Sequence, residues 1–133
     1  MELSALERAI LAELLSGDHP ALPFLRAQLG CARVVSREFT GVGFFTKLLV
    51  PDDVPPAPLA RAHVAFDAGP GDTVGAEFRG LAHGAGFVVF IDDGRLAVLE
   101  GFTYDEDWPP EGTPWVVRRV PITRLPPEAG GLD

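Results

Sequence analysis

The side chains of this chain that could do chemistry gather between His83 and Trp108 (HGAGFVVFIDDGRLAVLEGFTYDEDW). Glu100 interrupts the apolar run Leu96 to Phe102. Tyr104, the consecutive acids Asp105, Glu106 and Asp107, and then Trp108 follow. A carboxylate on an apolar surface has its pKa raised unless a donor pairs it. Such a group suits general acid–base work in a cleft beside a second group, for which His83 is the right residue type. Glu100 and His83 are therefore the catalytic candidates. Glu100, Tyr104, Asp105, Glu106, Asp107 and Trp108 are the binding candidates, because Tyr and Trp anchor interfaces and acids select a basic partner. The competing structural readings are a paired or edge-exposed glutamate and a solvated loop pinned to the domain by its Tyr and Trp.

These residues need a hairpin to position them. The run Ala85 to Ile91 is short, rich in Phe and Val, and bounded by glycines and by Asp-Asp-Gly, which suits a buried strand. Asp93-Gly94 suits a two-residue type I′ turn. A regular hairpin then pairs 91 with 96 and 87 with 100. It places Phe87, Val89, Ile91, Leu96, Val98, Glu100 and Phe102 on one face. His83 falls opposite Tyr104, about 13 Å from Glu100 at roughly 3.3 Å per residue. A three-residue loop with a bulge would shift this register.

Ahead of the hairpin, Ser4 and Glu7 have capping-box spacing. Leu6, Ile10 and Leu14 recur at helical intervals, and Gly17 can end that helix in a left-handed conformation. A second helix begins at Asp18 or His19 with Pro20 in its first turn, and runs to Gly30 on Leu22, Leu25 and Leu29. The two form an αα-hairpin over about residues 4–29, expected to cover one face of a sheet. Strands follow at Arg33 to Phe39 and Val42 to Val50. The proline-rich Pro51 to Pro58 is an exposed loop. Arg61 to Phe66 and Thr73 to Phe78 are expected to pair around Gly69-Pro70-Gly71. Pro109, Pro110 and Pro114 delay regular pairing until Trp115 to Val120, an edge strand. A frayed tail is expected at 126–133. The fold class is α+β: one domain over 1–133, an N-terminal αα-hairpin packed on a curled antiparallel sheet of about six strands at about 32–121.

Composition excludes several functions. The chain has 133 residues, a formal charge of −8, 10 arginines and a single lysine, Lys47. An acidic balance argues against nucleic acid, whose phosphates need a positive footprint. From Asp92 to Glu111 there are seven acids and one base, a balance of −6 within the total of −8. No apolar run approaches the roughly 20 residues of a membrane span, and MELSALERAI is not a secretory leader. The lone Cys31 allows no internal disulfide and reads as a small buried residue, so a cytoplasmic location is expected. His63 and His83 with Glu100 or Asp105 lack close ligand spacing, so no metal and no cofactor are expected. The glycine pairs 41/43 and 84/86 lack the third glycine of a nucleotide loop.

Arg37 to Thr46 (REFTGVGFFT) and His83 to Pro109, within a span of roughly 22–109, resemble a small group of uncharacterised bacterial single-domain proteins. The resemblance implies a compact, soluble bacterial domain and brings no catalytic residue with it. The function expected is a protein-binding module of immunity or accessory type, non-enzymatic, monomeric or homodimeric, with a basic protein partner. The alternative is a small enzyme or ligand-binding domain with a pocket around Glu100, His83 and Tyr104.

Overall fold

Ser4 and Glu7 form the expected reciprocal cap: the Ser4 hydroxyl accepts from the Glu7 N–H, and the Glu7 carboxylate accepts from the Ser4 N–H. Helix α1 (Ala5–Leu14) follows. The computed structural model describes residues 1–69, 71–121 and Leu132. Of the tail expected to fray, 126–131 and 133 lie outside the described residues, whereas Leu132 is buried. Gly17 does not take the left-handed conformation expected of it. α1 stops instead because two arginines collect its last carbonyls. Arg26 donates to Leu15 O at 2.6 Å, and Arg119 donates to Glu13 O at 2.6 Å. These cations sit at the negative end of the helix dipole. Helix α2 (Leu22–Leu29) begins three residues beyond His19, with Pro23 rather than Pro20 in its first turn. The connection is residues 15–21, longer than a second helix starting at Asp18 or His19 directly after Gly17 would leave.

Among the described residues, seven strands make one antiparallel, curled and unclosed sheet. They are β1 (Arg33–Phe39), β2 (Gly43–Leu49), β3 (His63–Phe66), β4 (Asp72–Phe78), β5 (Ala85–Asp92), β6 (Arg95–Thr103) and β7 (Trp115–Pro121). The order is β1-β2-β6-β5-β4-β7, with β3 also on β5. The expected β3–β4 hairpin is not formed. β3 lies along the C-terminal half of β5, from His63 opposite Asp92 to Phe66 opposite Val89. β4 meets β5 only at Gly75–Gly86 and Ala76–Ala85. β3 and β4 thus share one side of β5, each pairing with a different part of it. β7 is an edge strand, as its prolines require.

Both helices pack on one face of the sheet, α1 against β4, β5 and β7, and α2 against β6. Leu11, Leu14, Leu25, Val74, Phe87, Val89, Ile91 and Leu99 fill that inner layer. Two buried polar side chains tie the layers together. Glu7 receives Arg37 through two bonds of 2.9 and 2.6 Å, and also receives the Thr46 hydroxyl. Burial pushes this carboxyl up, yet Arg37, the Ser4 N–H and Thr46 hold it below its ordinary value. Gln28 is fully buried: its amide N–H groups donate to Gly94 O at 2.8 Å and Pro55 O at 3.2 Å, and its oxygen accepts from Leu96 N–H at 3.0 Å. Gly94 has φ +79°, and a Cβ there would lie 2.4 Å from Ala57 O. Only glycine allows the proline-rich loop to close over this turn.

Candidate functional site

The hairpin turn is the one its sequence suggests, with Asp92 opposite Arg95 and Ile91 opposite Leu96. The next pair is Phe90–Val98, so Ala97 is an extra residue, a β-bulge. Beyond it Val88 faces Glu100 and Phe87 faces Gly101. One inserted residue reverses the parity of the strand. Leu96, Leu99 and Gly101 line the inner layer, whereas Val98, Glu100 and Phe102 point to the outer face. This corrects the regular register: Glu100 does not share a face with Phe87, Val89, Ile91 and Leu96. The inner layer has no room for it, since a Cβ on Gly101 would lie 2.5 Å from the Phe44 ring.

The outer face is covered by no helix or strand among the described residues. Strand register places Phe45, Glu100 and Val88 in one row across β2, β6 and β5, and Lys47, Val98, Phe90 and Ala65 in the next. Phe45 and Leu49 stay 39% and 58% exposed. Val88, Phe90, Val98 and Phe102 are half-buried. Glu100 is half-buried among them and has no hydrogen-bond or ion-pair partner among the described residues. Burial raises its carboxyl above the ordinary carboxylate value.

Two further groups share this environment. Asp67 follows Phe66, the last β3 residue paired with β5, and its carboxylate is near enough to Tyr104 to act on it. It is buried, its carboxylate accepts from the Gly69 N–H at 3.1 Å, and burial still raises its pKa. Tyr104 folds back over Gly86, two residues from Val88 on the same face. A Cβ on Gly86 would lie 2.5 Å from the Tyr104 hydroxyl and 2.7 Å from the Phe102 ring. Burial, and then the Asp67 carboxylate, push the Tyr104 hydroxyl up. Glu100 thus lies opposite Val88, two residues along β5 from the Gly86 that Tyr104 covers, and Asp67 is near enough to act on Tyr104; burial disfavours the charged form of each. A cation arriving beside Glu100 would favour its charged form again, and the neutral Tyr104 ring would offer it an aromatic face.

The loop from Phe102 to Trp108 has divided roles. Trp108 packs edge-on against Phe44 and Phe78, with ring centres at 5.1 and 5.4 Å, so it pins the loop to the core. The Glu106 carboxylate accepts from the N–H groups of Ala82 at 2.8 Å and His83 at 3.1 Å, and the Ala82 bond in particular lowers its pKa. Thr103 donates its hydroxyl to Glu106 O, and Trp108 N–H donates to Gly41 O at 2.8 Å. Trp108 and Glu106 thus hold the loop, which leaves Tyr104, Asp105 and Asp107 exposed. Asp105 has φ +57°.

The structure does not bring His83 to Glu100 or Tyr104. The β5–β6 ladder ends at Ala85–Thr103, so the expected His83–Tyr104 pair is not made, and the Glu106 carboxylate occupies the His83 backbone. His63 lies at the other end of β5, roughly 25 Å from His83 along the strand, bonded to Asp92 at 3.0 Å. No group of His, Cys, Asp and Glu among the described residues could hold a metal. Cys31 is half-buried rather than buried. A cleft of about 200 Å³ between Leu14, His19, Phe66 and Arg119, and a second beside Pro56 and Gly94, both lie away from Glu100. No helix among the described residues is long and apolar enough to cross a membrane. Phe45 and Val88 belong to the face but not to the sequence candidates, although alternation through Phe44 to Leu49 signals Phe45. Asp67 carries no such signal, because its place depends on β3 pairing with β5. No protein-family model matches the chain, and no curated protein or solved structure matches it.

Proposed function

We propose that this chain is a non-enzymatic protein-binding module of immunity or accessory type, acting in a bacterial cytoplasm. It docks a basic protein on the outer face of its sheet, with Tyr104, Asp105 and Asp107 at the rim. The observation that carries this reading is Glu100: a half-buried carboxylate without a partner among the described residues, set in an apolar surface that no described element covers. Folding alone gains nothing from such a group, because it loses hydration and receives no hydrogen bond in return. A partner that supplies both apolar contact and positive charge repairs both deficits. The acid excess between Asp92 and Glu111 adds long-range attraction for the same kind of partner.

The ladder that ends at Ala85–Thr103 favours this reading over a pocket around Glu100, His83 and Tyr104, because it forms no His83–Tyr104 pair. The test is capture from a lysate of the source organism by the immobilised chain and by a Phe45→Ser/Val98→Ser variant of unchanged Tm. The expected result is a basic protein retained by the first, lost from the second, and released as salt rises. Equal retention by both removes this face from consideration.

A further inference from the structure

We infer that the partner of this face presents a lysine or arginine side chain flanked by apolar ones, and that the cation seats over Val88 against Glu100. The inference rests on the docking reading above and names the chemistry that reading leaves open. Its first support is placement. Glu100 lies in the middle of its row, between Phe45 and Val88, with Val98 and Phe102 before and after it on β6. An incoming segment must therefore bring apolar atoms on either side of whatever meets the carboxylate.

The second support is charge. A neutral donor would satisfy one lone pair, but a cation makes a charge-assisted bond roughly twice as strong as a neutral one. Phe45, Phe102 and Tyr104 add aromatic surfaces close by, which favour a guanidinium or ammonium further. Lys47, the nearest base in register, lies diagonally opposite, in the row of Val98. Diagonal neighbours are about 7–8 Å apart, within reach of a long side chain, yet Lys47 makes no ion pair with Glu100 among the described residues and burial alone sets the Glu100 shift.

The third support is the exclusion of other occupants. A second copy of this chain would bring another −8 of charge and another Glu100 to the face. An anionic lipid surface would meet the same acids. Both are opposed by the charge that draws a basic segment in.

The test uses the full chain, isotope-labelled, with three synthetic amphipathic peptides of one length and pattern: leucine with lysine, leucine with glutamine, and leucine with glutamate. The leucine–lysine peptide is expected to shift the amides of Phe45, Val88 and Glu100. Its affinity should exceed that of the glutamine peptide by about tenfold and fall by about tenfold in Glu100→Gln, the worth of one part-exposed charge pair. Phe45→Ser should weaken both of these peptides.

If the glutamine peptide binds the same amides as tightly, or Glu100→Gln changes nothing, the cation is refuted while the docking face stands. Shifts on other surfaces, or none with any peptide, overturn the face and the cation together. Concentration-dependent shifts of these amides without peptide would assign the face to a second copy and overturn the inference. Tighter binding to anionic vesicles than to the lysine peptide would overturn it too.

Discussion

Replacing Gln28 by Leu tests the device that sets the face on which Glu100 lies. Gln28 projects from α2 into the point where the proline-rich loop, the Asp93-Gly94 turn and the bulged start of β6 meet. β2 pairs with β6 only as far as Val98, so the Leu96 N–H lies beyond that ladder and is received by the Gln28 oxygen. The amide N–H groups cover Gly94 O and Pro55 O. Gly94 O keeps a second donor in Ala57 N–H at 2.8 Å, so its loss is partial. The Leu96 N–H keeps none of comparable quality. Two buried bonds and one part-buried bond at about 1 kcal/mol each, one of them leaving an orphaned donor, less the apolar gain of Leu, give a loss of about 2–4 kcal/mol. Against a total stability of about 5–15 kcal/mol this is large. The Tm should fall by roughly 10 °C. Urea unfolding measures the loss, and native-state hydrogen exchange should show the Leu96 amide released selectively. Gln28→Glu is the sharper variant. It keeps the acceptor for Leu96 but faces Gly94 O and Pro55 O with a carboxylate, so it should destabilise at neutral pH and recover as acid protonates it. A loss under 1 kcal/mol in Gln28→Leu, with Leu96 exchange unchanged, would refute the reasoning.

Further outcomes follow from the same geometry. Glu7 has a folded pKa below its ordinary value of 4.5, so its stabilisation is complete above the unfolded value and disappears as pH falls through the folded one. Breaking a buried pair on one side costs about 3–5 kcal/mol, and with Arg37 24% exposed the discounted loss for Glu7→Gln is about 2 kcal/mol at pH 7. Denaturant curves of variant and parent should converge in strong acid. Tyr104 is the only tyrosine of the chain, so ultraviolet titration reports it alone. It should ionise above 10.0 and move back toward that value in Asp67→Asn, whereas titration at 10.0 in the parent would separate it from Asp67. Deleting Ala97 should keep the sheet, because removing the extra residue leaves Phe90–Val98 and Val88–Glu100 in place. The measurement is the cross-strand amide contacts of β5 and β6, and a shift of Glu100 to the inner layer would contradict the bulge.

What was legible in the sequence was what short stretches decide for themselves. The Ser4–Glu7 cap and the Asp93-Gly94 turn follow from the chemistry of a few neighbouring residues. So do the limits of β1 and the breaking of strands by Pro109, Pro110 and Pro114. The pairing of β3 is of another kind. Gly69-Pro70-Gly71 suggests a local hairpin, but Val64 and Phe66 bury themselves better opposite Ile91 and Val89, and no property of the turn records that choice. The bulge is similar. Nothing in Leu96-Ala97-Val98 marks Ala97 as extra. The residue that receives the exposed amide is Gln28, on a helix remote in sequence, and the residue that forbids the regular register is Gly101, crowded by Phe44 and Phe87.

This is why Glu100 can be singled out from sequence and still be placed on the wrong face. With the regular hairpin it would be an acid beneath two helices, beside Phe87 and Ile91, and it would demand a buried partner. With the bulge it stands on the free side of the sheet, where its lost hydration is only partial and its missing partner can come from outside. The chemistry of the carboxylate is the same in either register. Whether Ala97 is bulged out or paired decides whether that carboxylate belongs to the core or to recognition.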